Sequence, residues 1–331
     1  MKKKQVIGLA AAVLAFAFLC SVSMLVRSRI QQKSQSVGQT LSNVLSEIDA
    51  EYYPTQEEYI GVLRIEGTIQ DTSGSSAVLS GSSYDHQMVL DSIAEMENAP
   101  NNRGIFLYLN SGGGTVYESD EVYLRLLEYK QTTGRPVWAY CGSQTCSGAY
   151  YIACAADRII ANRNTWTGSI GVIIQLTNLQ GLYEKFGIEE IDITSGANKA
   201  MGSAGSELTQ QQREILQSLV DEAYQQFVSI VAQGRSLGVE EVKSLADGRI
   251  YSAQQALSLK LVDEIAGFED TQQAMSDSLG GALFLEAERG AMGLFSQLFS
   301  WYSAQTPKSD AQILSDYLQT SGRGELLYYA G

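Results

Sequence analysis

From Tyr59 to Ala161 short apolar runs alternate with helical stretches, and this alternation narrows the fold more than any other feature of the sequence. Tyr59–Ile65, Gly104–Leu109, Val137–Cys141 and Arg158–Ala161 are short runs bounded by turn residues, which suits buried strands. Between them, Val116–Lys130 sets Val122, Leu124, Leu126 and Leu127 among charged residues and predicts a helix. Ser147–Ala155 predicts a second, short and apolar one. The order predicts an α/β fold with an internal, largely parallel sheet.

Farther on, Thr209 with Gln212 three positions later is a capping-box signature for a long helix. Its Ile215, Leu216, Leu219, Val220, Ala223, Phe227, Ile230 and Val231 recur at helical spacing and predict one packing stripe. A short helix follows near Val239–Ala246, and Ile250–Ala253 reads as a turn into another. The body on this reading occupies residues 56–270.

Residues 5–26 contain no charge. At ~1.5 Å per residue such a run can cross a ~30 Å hydrocarbon core. Residues 1–27 therefore read as a transmembrane anchor with a basic flank. A cleaved signal peptide is the rival, but its apolar region is usually ~7 to 15 residues and ends in a small-x-small site; here the run continues into Arg27 and Arg29. A lipoprotein site at Cys20 would want small residues where Phe18-Leu19 stand. Lys2, Lys3 and Lys4 are matched by Arg27, Arg29 and Lys33, so local charge does not orient the segment. Residues 28–55, rich in Ser, Gln and Glu, read as a polar stalk. Residues 271–331 form a C-terminal extension in which Leu294, Phe295, Leu298, Phe299, Trp301 and Tyr302 crowd an amphipathic stretch, suited to an oligomer interface or to packing on its own domain.

Lys and Arg number 23 against 37 Asp and Glu, a formal net charge of −14 over 331 residues. The chain thus lacks the positive field that non-specific nucleic-acid binding needs, and nucleic acid is not an expected partner. The one histidine, His86, lies in a polar stretch and reads as a solvated loop residue; a Ser-His triad or a histidine metal centre would have to use it. Cys20, Cys141, Cys146 and Cys154 show no C-x-x-C pairing and read as small hydrophobes. Neither a metal nor a cofactor is expected.

Three local features could carry chemistry. Asn110-Ser111-Gly112-Gly113-Gly114 lies between a predicted strand and helix, where it can serve as a tight turn, an anion-binding turn or an oxyanion hole. It lacks the Gly-Lys-Ser/Thr of a P-loop. Ser147 follows a predicted strand and opens a helix, so it reads as an N-cap or as a nucleophile aided by the helix dipole and the Gly148 N–H. With histidine scarce, a base would be a lysine whose pKa burial lowers from ~10.4 toward ~7 to 8. Lys199, among small residues, is either such a base or an ordinary surface amine. Ser169, in Gly168-Ser169-Ile170-Gly171, could orient an amine or merely shape a turn.

Together these segments resemble the signal peptide peptidase A family of serine proteases, within the superfamily of the Clp protease proteolytic subunit and the crotonases. The resemblance runs from about Tyr59 to Asp270. It rests on Asn110-Ser111-Gly112-Gly113-Gly114, Ser147-Gly148-Ala149-Tyr150-Tyr151, Thr167-Gly168-Ser169-Ile170-Gly171 and Ser195-Gly196-Ala197-Asn198-Lys199. It implies a crotonase/Clp-protease-like repeated β-β-α fold behind an N-terminal transmembrane helix. The family roles make Ser147 the nucleophile and Lys199 the base, with Ser169 orienting the lysine and Gly114 and Gly148 donating to the oxyanion. One departure is Gly112, which stands where the family often has proline.

The resemblance further implies a membrane-anchored serine endopeptidase of the half-length form, its Ser-Lys pair completed within the subunit. Such proteins assemble as homo-oligomeric, dome-like rings on the extracytoplasmic side of the cell membrane. They degrade remnant signal peptides and other unfolded peptides. Leu326–Gly331 resembles a substrate or product of a small-residue-preferring site and so could occupy the groove itself. Two other readings keep the same fold: a crotonase-type acyl-CoA enzyme, against which an anchor and stalk speak, and a non-catalytic membrane scaffold.

Overall fold

The computed structural model describes residues 57–71 and 84–286, together with the backbone of Leu327–Tyr329. The apolar run at 5–26, the stalk at 28–55 and the amphipathic stretch Leu294–Tyr302 lie outside the described residues. Among those described, no helix is long and apolar enough to cross a membrane.

The chain order begins β1 (Tyr59–Glu66), α1 (His86–Asn98), β2 (Asn102–Ser111), β3 (Gly113–Thr115), α2 (Val116–Thr133), β4 (Val137–Cys146) and α3 (Gly148–Ala153). It continues β5 (Arg158–Ala161), β6 (Trp166–Gly168), α4 (Gln180–Phe186), α5 (Gln210–Arg235) and α6 (Val239–Leu245). Then come β7 (Ile250–Ser252), α7 (Ala253–Ser258), β8 (Glu264–Ile265), α8 (Phe268–Ser278), β9 (Leu283–Glu286) and, apart from these, β10 (Leu327–Tyr329).

The described strands build an eight-stranded sheet in the order β7-β6-β4-β2-β1-β9, with β5 joining β4 to β8. Every pair in it is parallel except β6 with β7. Strands such as Ile105-Phe106-Leu107 are apolar without alternation because both faces are covered. Leu107, Ala139 and Cys141 face a core shared with Ile93, Leu126, Tyr151 and Phe227. Phe106, Trp138 and Tyr140 point the other way, onto Met275 of α8. Each large apolar side chain so buried contributes roughly 1.5–3 kcal/mol. This mixed α/β architecture around a central sheet fits a Clp-protease-like fold. The sheet also runs beyond residue 270, since β9 pairs with β1 through Tyr59 and Leu283.

Four local expectations need revision. β4 does not stop at Cys141. It shifts register and continues through polar Gln144 and Thr145, whose place in a strand follows from side chains that bond to carbonyls: Thr145 Oγ1 donates to Leu109 O at 3.0 Å, and Thr167 Oγ1 to Thr145 O at 2.7 Å. Ile250–Ser252 is a strand paired with β6, not a plain turn. His86 is not a solvated loop residue, because Asp85 caps α1 by accepting the Met88 N–H, and His86 becomes its buried first residue. Its Nδ1 meets Tyr84 Oη at 2.6 Å and its Nε2 meets Glu121 Oε2 at 2.8 Å. On α5 the Thr209–Gln212 capping box forms, but only the C-terminal half of the stripe is buried. Phe227, Ile230 and Val231 pack inside, whereas Leu219 is 43% exposed because that half of the helix overhangs the sheet-bound core.

Candidate active site

β3 is built by a close approach of two backbones. The Ile69 N–H donates to Gly113 O at 3.0 Å, and the Thr115 N–H donates to Ile69 O at 2.8 Å. A Cβ on Gly114 would lie 1.8 Å from the Ile69 carbonyl oxygen, so only glycine fits. Ser111 Oγ accepts the Gly113 N–H at 3.0 Å and locks the turn. With its neighbours' groups spent on Ile69, alternation along the strand turns the Gly114 N–H and C=O to the opposite edge. There β10 pairs antiparallel, Tyr328 opposite Gly114 and Leu327 opposite Thr115. The chain's own C-terminal segment thus adds a strand to the glycine edge, the geometry by which many domains bind extended peptides.

Ser147 joins β4 to α3 with φ 53° and ψ −120°, outside the regions that ordinary residues favour. It is no N-cap in the chemical sense, since its side chain makes no capping bond. Its N–H donates to Gly168 O at 2.8 Å and its carbonyl accepts the Tyr151 N–H at 2.9 Å. The hydroxyl is buried with no hydrogen-bond partner among the described residues. An orphaned buried donor is costly, and this one sits where a nucleophile is expected. Gly148 opens α3, so its N–H has no intrahelical acceptor and is free to act as a donor. Both β3 and β10 border α3, which brings Gly114, Ser147 and Gly148 to one place.

Two tyrosines seat α3, a role that sequence reading missed; their size in a run of small residues was the available signal. Tyr150 Oη donates to Leu261 O at 2.6 Å, and Tyr151 Oη bonds Asp120 Oδ1 at 2.5 Å while accepting Gln226 Nε2 at 2.7 Å. The surroundings are closely packed and buried. Burial pushes the thiols of Cys141, Cys146 and Cys154 up to about 12.

Ser169 is buried, with φ 49°, and follows Gly168, whose backbone carbonyl holds Ser147. Lys199 is placed differently. It lies at the end of an exposed stretch covering residues 184–199, in a turn where its N–H donates to Gly196 O at 3.1 Å. Its amine makes no bond with Ser147 Oγ. The same segment exposes Phe186 at 72%, Ile191 at 72% and Ile193 at 97%. Gly114, Ser147, Gly148 and Ser169 therefore gather around the junction of β4 and α3, and the lysine stands apart on a segment with unburied apolar side chains.

The model of peptidase family S49 matches residues 129–280, a stretch that includes Ser147, Ser169 and Lys199. A protein of Enterococcus faecium described as a signal peptide peptidase SppA is 34% identical over 277 residues, 81% of this chain and 80% of that protein. The chain belongs to the signal peptide peptidase A family, peptidase family S49. A protein of Synechocystis described as a protease is similar to it at 45% identity over 169 residues, 51% of this chain and 60% of the relative. Protease 4 of Haemophilus influenzae is 33% identical over 215 residues, 64% of this chain and 33% of that longer protein. Membership in family S49 makes this a serine-type peptidase.

Proposed function

We propose that the protein is a membrane-anchored endopeptidase that cleaves remnant signal peptides and other unfolded peptides with a Ser147–Lys199 dyad. The observation that carries this reading is the buried, unpartnered hydroxyl of Ser147 on a left-handed backbone beside a glycine edge that accepts a peptide strand. Neutral Lys199 takes the Ser147 proton as Oγ bonds to the scissile carbonyl carbon. The N–H groups of Gly114 and Gly148 hold the oxyanion. The tetrahedral adduct then collapses, the C–N bond breaks, and Lys199 passes the proton to the leaving amine. Water hydrolyses the acyl-enzyme by the same proton path in reverse.

Because Lys199 is exposed in the single chain, the dyad requires the segment that carries it to close over Ser147. Burial of Phe186, Ile191 and Ile193 in a homo-oligomeric ring would supply the driving force. The paired β10 strand supports a C-terminal segment that occupies the groove and is trimmed there. The anchor at residues 1–27 and an extracytoplasmic body complete the reading.

A fluorophosphonate probe should label the wild-type protein at Ser147 and fail on Ser147→Ala, with Lys199→Ala folded and inactive on peptides. An active Lys199→Ala enzyme would sink the dyad. Intact-mass comparison of wild type with Ser147→Ala tests trimming, and identical masses would exclude it. Sedimentation of Phe186→Glu tests the ring, which should dissociate.

A further inference from the structure

The turn Asp247-Gly248-Arg249 lies far from Ser147 in sequence, yet it carries the two backbone groups that hold the Ser169 corner. The Ser169 N–H donates to the Arg249 carbonyl at 2.8 Å, and the Gly248 N–H donates to the Ile170 carbonyl at 3.2 Å. These bonds sit on either side of the residue and hold it at φ 49°, a conformation uncommon for a residue other than glycine. One residue earlier, the Gly168 carbonyl accepts the Ser147 N–H. A Cβ on Gly168 would fall 2.6 Å from the Tyr251 ring, so the corner is wedged by β7 as well.

What fixes the turn is the Asp247 carboxylate. Its Oδ1 accepts the Arg249 backbone N–H at 3.2 Å and the Arg249 Nε–H at 2.7 Å. Hydrogen bonding from the Arg249 side chain, then from its backbone, holds the carboxyl down at about 2. Arg249 and Asp247 are 62% and 48% exposed, so the ion pair itself adds little to stability. The backbone contact differs, because it tethers the residue whose carbonyl accepts the Ser169 N–H.

We infer that Asp247 is a positioning residue: through the Arg249 backbone it aims the Ser169 hydroxyl at the catalytic lysine. This rests on the role proposed above for Ser169. A catalytic group displaced by ~1 Å can cost ~100-fold in rate, and loss of one side-chain tether should give part of that.

The test is a double-mutant cycle on the full chain with a fluorogenic peptide. Asp247→Ala should lower kcat about tenfold with KM within about twofold. Asp247→Asn keeps the oxygen that accepts the Arg249 N–H and should recover most of the loss. In a Ser169→Ala background, Asp247→Ala should change kcat by less than about twofold, because the group it aims is already gone. An equal loss in both backgrounds would mean that the turn acts structurally and would overturn the inference, as would wild-type kcat in Asp247→Ala. Full activity of Ser169→Ala would remove the Ser169 role and this inference with it, while leaving the Ser147–Lys199 dyad standing on its own tests. Circular dichroism of each variant checks that the chain is folded, and a kcat loss accompanied by unfolding in both Asp247 variants counts against positioning.

Discussion

The backbone N–H of Ser147 is donated to the carbonyl of Gly168 over 2.8 Å. That bond spends the Ser147 amide, which is why the oxyanion donors proposed above are Gly114 and Gly148. It also couples the nucleophile to the corner that carries Ser169, so a shift of either is felt by the other.

Gly114→Ala should abolish most activity in a folded protein. The added methyl would meet the backbone oxygen of Ile69 at 1.8 Å, and a backbone neighbour cannot rotate away. The displaced β3 would carry its N–H off the oxyanion position, a loss worth roughly 100-fold in kcat. Steady-state kinetics beside circular dichroism would show it, and kcat within twofold of wild type would remove Gly114 from the hole.

The thiols of Cys141, Cys146 and Cys154 should resist alkylation in the native protein at pH 8 and react on unfolding. Burial raises each to about 12, which favours the neutral form in the folded state. Since the folded pKa is the higher one, the associated stability is intact below the unfolded thiol value of about 8.5 and is lost as pH rises from there toward 12. Iodoacetamide mapping reads the first effect. The second appears as a urea midpoint that falls between about pH 8.5 and 11.

Tyr150→Phe should destabilise the body by about 1–3 kcal/mol, because it strips a buried carbonyl of its donor. The bond concerned is the 2.6 Å contact from Tyr150 Oη to Leu261 O, wholly inside the protein. Urea unfolding measures the loss. An unchanged midpoint would mean that the carbonyl finds another partner.

Local pattern made much of this protein legible. Apolar runs without alternation announced parallel strands covered on both faces, as Phe106 and Leu107 are. The Thr209–Gln212 pair marked the start of α5 correctly because a capping box is complete within four residues. Ser147 and the glycine run were visible because strand, turn and helix follow one another directly in the chain.

Tertiary structure decided what depends on segments brought together from afar. Whether Ser147 was a cap or an orphaned hydroxyl turned on the packing of α3 against β2 and β3, and no local pattern encodes that. His86 looked solvated by its polar neighbours, yet Tyr84 and Glu121 enclose it. The need for glycine at position 114 comes from Ile69, and the bend at Ser169 from Arg249. Lys199, legible only through its motif, lies on an exposed segment whose apolar Phe186, Ile191 and Ile193 stay uncovered among the described residues. Sequence by itself determined which groups could react and which stretches would form strands and helices, since those follow from short-range periodicity and side-chain chemistry. Their mutual placement was set by backbone contacts between distant segments, which only the folded chain contains.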